Sequence, residues 1–249
     1  MVSVFFLAAG KSNRISKITK NKPKPLIKIN GSSILSRNFN WFRKSKLTSK
    51  YFVNTFFKPG DIKNEINKIN LKYKISTLIS HEKKLLGTAG AVKKLENELG
   101  KLFFVCYSDN LLNFDLEKMM KYHKKKKSDI TMAIYDIKKN PFTGIASSSI
   151  QLNRDKEIIN FDEERGAKGS SKYSVNTGVI IFNNKIFKYI KKNKFIDFSK
   201  DVFPKLAKNK KIKFIGYQIE KKNGYCLALD TQDSYKKFLK IVKKIKLFN

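Results

Sequence analysis

Apolar runs of strand length alternate with amphipathic helical stretches through the first 135 residues, and that alternation narrows the fold more than any other feature of the chain. The pattern predicts strands at 2–7, 51–57, 73–79, 102–106 and 130–135, and helices at 33–44, 61–69, 88–99 and 116–126. Within 33–44, Ile34, Leu35, Phe39 and Phe42 fall on one side of a helix. Gly100 supplies a stop for the helix before it. The run 102–106 is apolar throughout, as a strand buried on both faces must be. Repeated β-α units of this kind imply an α/β fold, a Rossmann-like three-layer sandwich with a mostly parallel mixed sheet and helices on both faces. The rhythm changes after about residue 140. Strand patterns at 144–152, 157–161 and 173–182 follow one another without helices, which predicts a small antiparallel insertion or lid over about 140–183. Helices are expected again at 186–191 and 199–207, strands at 212–217 and 225–229, and a closing amphipathic helix at 234–245. No repeat, linker or break in composition divides the chain, so 1–249 reads as a single domain.

In an open α/β sheet, ligands sit beyond the carboxyl ends of the strands. The first such end is Leu7, and Ala8-Ala9-Gly10-Lys11-Ser12-Asn13-Arg14 follows it. Small residues let backbone N–H groups approach a ligand closely, and a cation suits phosphate oxygens. Further on, Lys24 stands between Pro23 and Pro25. Each proline fixes its own φ, so the lysine between them presents its ammonium at low entropic cost. This combination points to a nucleoside triphosphate site. It is not a Walker loop, because no Gly-Lys-Ser/Thr follows at the right spacing, and not a dinucleotide fingerprint, because Gly10 is its only glycine.

The formal net charge of +34 raises the question of nucleic acid. Only five of the 54 basic residues are arginine (Arg14, Arg37, Arg43, Arg154 and Arg165), yet arginine is the preferred reader of phosphates and bases. The lysines are spread along the whole chain with no cluster of arginine and aromatics. Neither nucleic acid nor a membrane is therefore expected as a partner, while the positive field draws in anionic small substrates. Cys106 and Cys226 each lie in an apolar run and read as buried thiols. His81 and His123 stand apart from each other and from any cysteine, which argues against a zinc site. The apolar run at 4–9 is too short for a signal-peptide core, and no segment reaches the length of a membrane span, so a cytoplasmic location is expected.

Leu7-Ala8-Ala9-Gly10-x-Ser12-x-Arg14 with Pro23-Lys24-Pro25-Leu26 resembles the signature of the sugar-1-phosphate nucleotidyltransferases, and the resemblance continues in order along nearly the whole chain. Leu86-Gly87-Thr88-Ala89-Gly90-Ala91 resembles the family's base- and sugar-facing segment, in the form seen in short members that use GTP with mannose- or heptose-1-phosphate. Ser108-Asp109-Asn110 resembles the metal-binding aspartate segment, Phe161-Asp162-Glu163-Glu164 the acidic sugar-binding motif, residues 173–179 the Asn-x-Gly strand, and Leu229-Asp230-Thr231 the second metal-binding aspartate. The resemblance implies that an NTP and a sugar-1-phosphate give an NDP-sugar and pyrophosphate, with Mg²⁺ held by Asp109 and Asp230. Arg14, Lys24 and Asp109 would carry catalysis. Leu7, Ala8, Ala9, Gly10, Ser12, Asn13, Gly87, Thr88 and Ser108 would bind the nucleotide. Gly144, Glu163, Arg165, Lys168, Asn176 and Thr177 would bind the sugar.

The chain departs from that pattern in places. Ser12 stands at a usual glycine, and Asp230-Thr231-Gln232 lacks the glycine of the last motif. The acidic motif normally ends Glu-Lys, but here Glu164 follows Glu163, leaving Arg165 or Lys168 to take the lysine's place. Transfer from UTP, dTTP or CTP, including phosphocholine cytidylyl transfer, and a catalytically silent nucleotide-binding relative remain alternatives. A homo-oligomer is compatible with the sequence.

Overall fold

Strand β1 (Val2–Leu7) is apolar on both sides because both sides are covered: Val4 and Phe6 enter one core and Phe5 the other, all fully buried. The computed structural model describes residues 2–12, 19, 21–136, 148–163, 174–220, 224–229, 235–236 and 238–240. In chain order, β1 is followed by the short pair β2 (Lys28–Ile29) and β3 (Ser32–Ser33), helix α1 (Ile34–Lys44), β4 (Thr48–Thr55), α2 (Pro59–Tyr73) and β5 (Thr77–His81). Then come α3 (Gly87–Lys94), β6 (Leu102–Tyr107), β7 (Asn110–Phe114), α4 (Leu116–Lys125), β8 (Ile130–Tyr135), β9 (Ser149–Leu152), β10 (Ile158–Asp162) and β11 (Val175–Asn183). Helix α5 (Phe203–Leu206), β12 (Phe214–Gln218) and β13 (Gly224–Ala228) complete the described elements.

The main sheet has seven strands in the order β12-β8-β11-β6-β1-β4-β5. Every neighbouring pair is parallel except those made by β11, which runs antiparallel to both β6 and β8. The expected mostly parallel α/β sandwich is what forms. One face packs α1, α2 and α4 through Leu35, Phe39, Phe42, Ile62, Ile66 and Met119. Phe6 stacks on Phe39 with ring centroids 4.0 Å apart. The other face packs α3 and α5 through Val92, Phe203 and Leu206. Each fully buried phenylalanine contributes about 2 kcal/mol or more of apolar transfer. The antiparallel insertion expected over about 140–183 is smaller than that: among the described residues it is the β9–β10 hairpin, joined to the rest by bridges from Ile150 to Ser174 and from Glu157 to Ile215, while the expected strand at 173–182 is β11, which pairs with β6 and β8 inside the main sheet.

Some boundaries differ from the expected ones, for physical reasons. Residue 73 ends α2 rather than opening a strand, because Lys74 adopts φ +53° and turns the chain, and β5 starts at Thr77. Helix α3 stops at Lys94 instead of running to Leu99, since the following N–H groups of Leu95 and Glu96 bond three residues back. The helix expected at 186–191 is a 3-10 segment, Asn184–Tyr189, and the one at 199–207 is a π turn, Phe198–Val202, leading into α5. Strand β7 was not anticipated; it pairs with β13 in a two-stranded antiparallel sheet. Residues 144–147 of the expected strand 144–152, and most of the helix at 234–245, lie outside the described residues.

Candidate active site

From β1 the chain steps outward to β4 and β5, then returns to the other side of β1 as β6. A crevice forms where the order of strands reverses in this way, beyond their carboxyl ends. The ends in question are Leu7 and Tyr107, which are paired in register. A cavity of about 480 Å³ opens at that point.

Loop 8–12 enters the cavity through Ala8, Ala9, Gly10, Lys11 and Ser12. Ser12 adopts φ +59°, which explains why glycine suits this position. The serine has its own use, because its Oγ accepts a hydrogen bond from Lys24 N at 2.9 Å. Pro23-Lys24-Pro25 forms the start of a single 3-10 turn, Lys24–Leu26, closed by Ile27 N donating to Lys24 O at 3.0 Å. The proline pair thus presents a lysine that is only 7% exposed, and its Nζ lies 3.6 Å from Asp109 Oδ2. Asp109 arrives there because β6 ends at Tyr107 and Ser108 N donates to Leu7 O, holding the next residue at the mouth of the crevice. The Asp109 side chain is 32% exposed and lines the cavity. On its far side β13 pairs Ala228 with Asn110, and Ala228 lines the cavity too.

A second group of polar side chains surrounds Tyr107. Thr88 Oγ1 donates to Asp197 Oδ2 at 3.0 Å and accepts from Phe198 N at 2.8 Å. Asp197 Oδ1 accepts from Ser199 N at 2.9 Å, so this carboxylate caps the π turn. Burial first, and then the Asp197 carboxylate, raise the pKa of the Tyr107 phenol, with Glu163 adding to the rise. The Thr88 and Ser199 hydroxyls beside the buried phenol work against that rise without making a hydrogen bond of normal geometry to it, and the phenol stays protonated near neutral pH. Glu163, Asn176 and Gly178 line the cavity beside it. Asn176 Oδ1 accepts from Gly178 N at 2.8 Å, so what this side chain has left for a ligand is its amide N–H pair.

Of the residues singled out in the sequence, Leu7, Ala8, Ala9, Gly10, Ser12, Lys24, Gly87, Thr88, Asp109, Glu163 and Asn176 share this one cavity. Two do not belong to its lining. Ser108 is fully buried, and its N–H is used on Leu7 O. Thr177 is also fully buried and donates its hydroxyl to Ala133 O at 2.9 Å, because a residue next to Asn176 on a strand faces the opposite side. Asn13, Arg14, Gly144, Glu164, Arg165, Lys168 and Asp230 lie outside the described residues. Gly87 and Gly90 have a packing reason for their lack of a side chain. A Cβ at Gly87 would lie 2.4 Å from Ile196 O, and one at Gly90 2.6 Å from Lys194 O. That close approach lets Ala89 N and Gly90 N donate to Ile196 O, locking segment 194–198 onto the start of α3.

Tyr107, Asp197, Ser199, Phe195 and Asn54 also line the cavity and had not been singled out. Asn54 carried a readable signal, a polar amide at the end of the apolar run Tyr51-Phe52-Val53. Asp197 carried none, because its place depends on the chain folding back on α3.

Known proteins resemble this chain in sequence and in fold. D-glycero-alpha-D-manno-heptose 1-phosphate guanylyltransferase of Aneurinibacillus thermoaerophilus is 27% identical over 238 residues, covering 95% of this chain and 96% of that protein. UTP–glucose-1-phosphate uridylyltransferase of Synechocystis is 26% identical over 83% of this chain, which spans 55% of that longer protein. The crystal structure of HddC from Yersinia pseudotuberculosis complexed with GMP-PN superposes with a TM-score of 0.76 at 21% identity, covering 97% of this chain and 100% of that one. Among the described residues, no helix is long and apolar enough to cross a membrane. Residues 4–221 match the nucleotidyl transferase family, and the chain belongs to it.

Proposed function

We propose that this chain transfers a nucleotidyl group from an NTP, with GTP preferred, to a sugar-1-phosphate, giving an NDP-sugar and pyrophosphate. The observation that carries the proposal is the meeting of Lys24 and Asp109, 3.6 Å apart, beside the loop 8–12 in a cavity that also holds the polar group around Tyr107. An oxygen of the sugar phosphate attacks the α-phosphorus, the bond to the bridging oxygen of the β-phosphate breaks, and pyrophosphate leaves with that electron pair. The nucleophile is already an anion, so no general base is required. Catalysis then rests on bringing two anions together and neutralising their charge.

Lys24 bridges the attacking phosphate and the α-phosphate, its ammonium held by the 3-10 turn and by the Ser12 hydrogen bond. Arg14 is assigned the leaving pyrophosphate on the strength of the motif it ends. The backbone of loop 8–12 takes the triphosphate, and the start of α3 takes the base. Asp109 fits a magnesium ion, which takes one or two carboxylates together with phosphate oxygens: its carboxylate is partly exposed and faces the cavity where those oxygens would lie. Asp230 is the proposed second ligand, on the strength of the motif it belongs to. When bound, the ion would offset the charge that gathers on the phosphates. Tyr107, Glu163 and Asn176 receive the sugar, and the net charge of +34 draws both anionic substrates inward.

The guanylyl preference is supported by the names of relatives such as the heptose enzyme and by the GMP-PN complex of HddC. An activated sugar of this kind is a donor for surface polysaccharide or glycoconjugate synthesis. The test is pyrophosphate release with Mg²⁺, each of the four common NTPs plus dTTP, and a panel of sugar-1-phosphates including mannose and heptose. Release with GTP and one sugar is expected. Release with UTP alone would correct the nucleotide, and binding of nucleotide with no release from any pair would make the chain a silent relative.

A further inference from the structure

Six large apolar side chains stand exposed among the described residues, and of these Phe195 alone lines the cavity. Single exposed apolar residues need no explanation on an open surface. A phenylalanine that is 62% exposed at the wall of a cavity does, because an aromatic ring is among the largest apolar surfaces a side chain can bury. Phe198, three residues on, shows the alternative. It is fully buried and stacks on Phe182 and Phe203 with ring centroids 5.0 and 5.3 Å apart.

The backbone that carries Phe195 is fixed on both sides of it. Ile196 N donates to Leu86 O at 2.9 Å, and Ala89 N and Gly90 N donate to Ile196 O at 3.0 and 3.1 Å. Asp197 N donates to Asp201 Oδ2 at 2.7 Å, and the Asp197 carboxylate accepts from Thr88 Oγ1. Gly87 and Gly90 leave room for this approach, since a Cβ on either would meet the backbone of residues 194–196. A ligand that meets the ring therefore has no loop to order first, which favours binding.

The direction of the ring follows from its neighbours. Ile196 packs against the core, while Phe195 and Asp197 on either side of it both line the cavity. Phe195 thus shares its side of the segment with Asp197, whose carboxylate acts on the Tyr107 phenol. Glu163 and Asn176 line the same cavity, and the Asn176 amide keeps its N–H pair for a ligand. Polar groups together with one exposed aromatic face suit a pyranose, which carries hydroxyls around its rim and C–H groups across its faces. A quaternary ammonium also favours an aromatic face, but it has no oxygen to accept from the Asn176 N–H pair.

We infer that Phe195 is a specificity residue for the acceptor: its ring covers the C–H face of a pyranose-1-phosphate whose hydroxyls meet Glu163 and Asn176. The inference rests on the nucleotidyl-transfer reading above. It deepens that reading by naming the substrate class, a six-membered ring sugar with an open C–H face.

The exposure of Phe195 makes the test clean, because removing its side chain takes little from the core. F195A, F195L and F195Y would be compared with the wild type in pyrophosphate release with Mg²⁺, GTP, UTP, CTP or dTTP, and mannose-, glucose- or heptose-1-phosphate or phosphocholine as acceptor. F195A is expected to raise the KM for the sugar-1-phosphate about tenfold, and F195L, which keeps apolar bulk without the aromatic face, about fivefold. F195Y should restore it to within about twofold of the wild type. The KM for the nucleotide should stay within about twofold in all three, and the melting temperature within about 2 °C. An unchanged sugar KM in F195A and F195L would overturn the inference. A rise in the nucleotide KM alone would assign the ring to the base instead, and release with phosphocholine but with no sugar phosphate would assign it to a quaternary ammonium. A wild type that releases pyrophosphate with no pair at all would overturn the nucleotidyl-transfer reading, and this inference with it.

Discussion

The two groups of side chains in the cavity are assembled in different ways. Around Lys24 the cradle is local and only Asp109 comes from far along the chain: loop 8–12 is one unbroken stretch, and Lys24 is tied to it by a hydrogen bond across only 12 residues. Around Tyr107, the participants come from distant stretches, and the bond between Thr88 and Asp197 alone spans 109 residues. On the proposed reading the first group handles phosphates, which every substrate of such a reaction carries. On the same reading the second surrounds whatever is attached to the phosphate. A local device can stay intact while the distant one is repacked, which offers a physical route to relatives with one reaction and different sugars.

The strongest blow to this division would fall on Asp109. D109N keeps the shape of the side chain and removes its charge beside Lys24. It should lower kcat about a thousandfold, on the order of 4 kcal/mol, with little change in the KM for the sugar-1-phosphate. Far-UV circular dichroism and the melting temperature should show an intact fold. A variant that keeps more than about a tenth of the activity would mean that the charge at this end does not drive the chemistry.

A smaller effect on the other group is expected from G178A. Gly178 adopts φ +82°, and a Cβ there would lie 2.7 Å from Tyr107 Cβ and 2.9 Å from its Cγ. Strain of about 1–2 kcal/mol from the left-handed backbone should lower the melting temperature by several degrees. Displacement of Tyr107 should raise the KM for the sugar-1-phosphate about thirtyfold and leave nucleotide affinity within about twofold. Loss of both affinities together would dissolve the separation between the two groups.

The same contrast governs what the sequence discloses. The strands β1 and β8 and the helices α1 and α4 are legible because their apolar periodicity is complete within each segment. Loop 8–12 is legible because its parts are contiguous. Strand β7 was not, since Asn110-Leu111-Leu112-Asn113-Phe114 has no alternation of its own and becomes a strand by pairing with residues 224–228. Gly87 looked like a surface for a ligand, and its main constraint turns out to be Ile196 O, a backbone atom far along the chain. Thr177 sits one place from Asn176 and on the wrong face, which a strand's twofold period decides once its orientation is known. Asp197 and Ser199 acquire their place only when segment 194–198 lies against α3.

The finest test of the division is the hydroxyl of Tyr107. Y107F removes one oxygen that is buried and makes no hydrogen bond of normal geometry within the protein. If that oxygen serves only as a misplaced polar atom, its loss should raise the melting temperature slightly, because a buried unpaired group costs about 1–3 kcal/mol. If it donates to the sugar, the melting temperature will still not fall, but the KM for the sugar-1-phosphate will rise about tenfold, the equivalent of about 1.4 kcal/mol, at unchanged nucleotide affinity. Stability therefore cannot separate the two outcomes, and the KM can. The raised pKa of the phenol keeps it a donor at neutral pH, so the tenfold difference should hold across the neutral range instead of fading as the solution turns mildly alkaline.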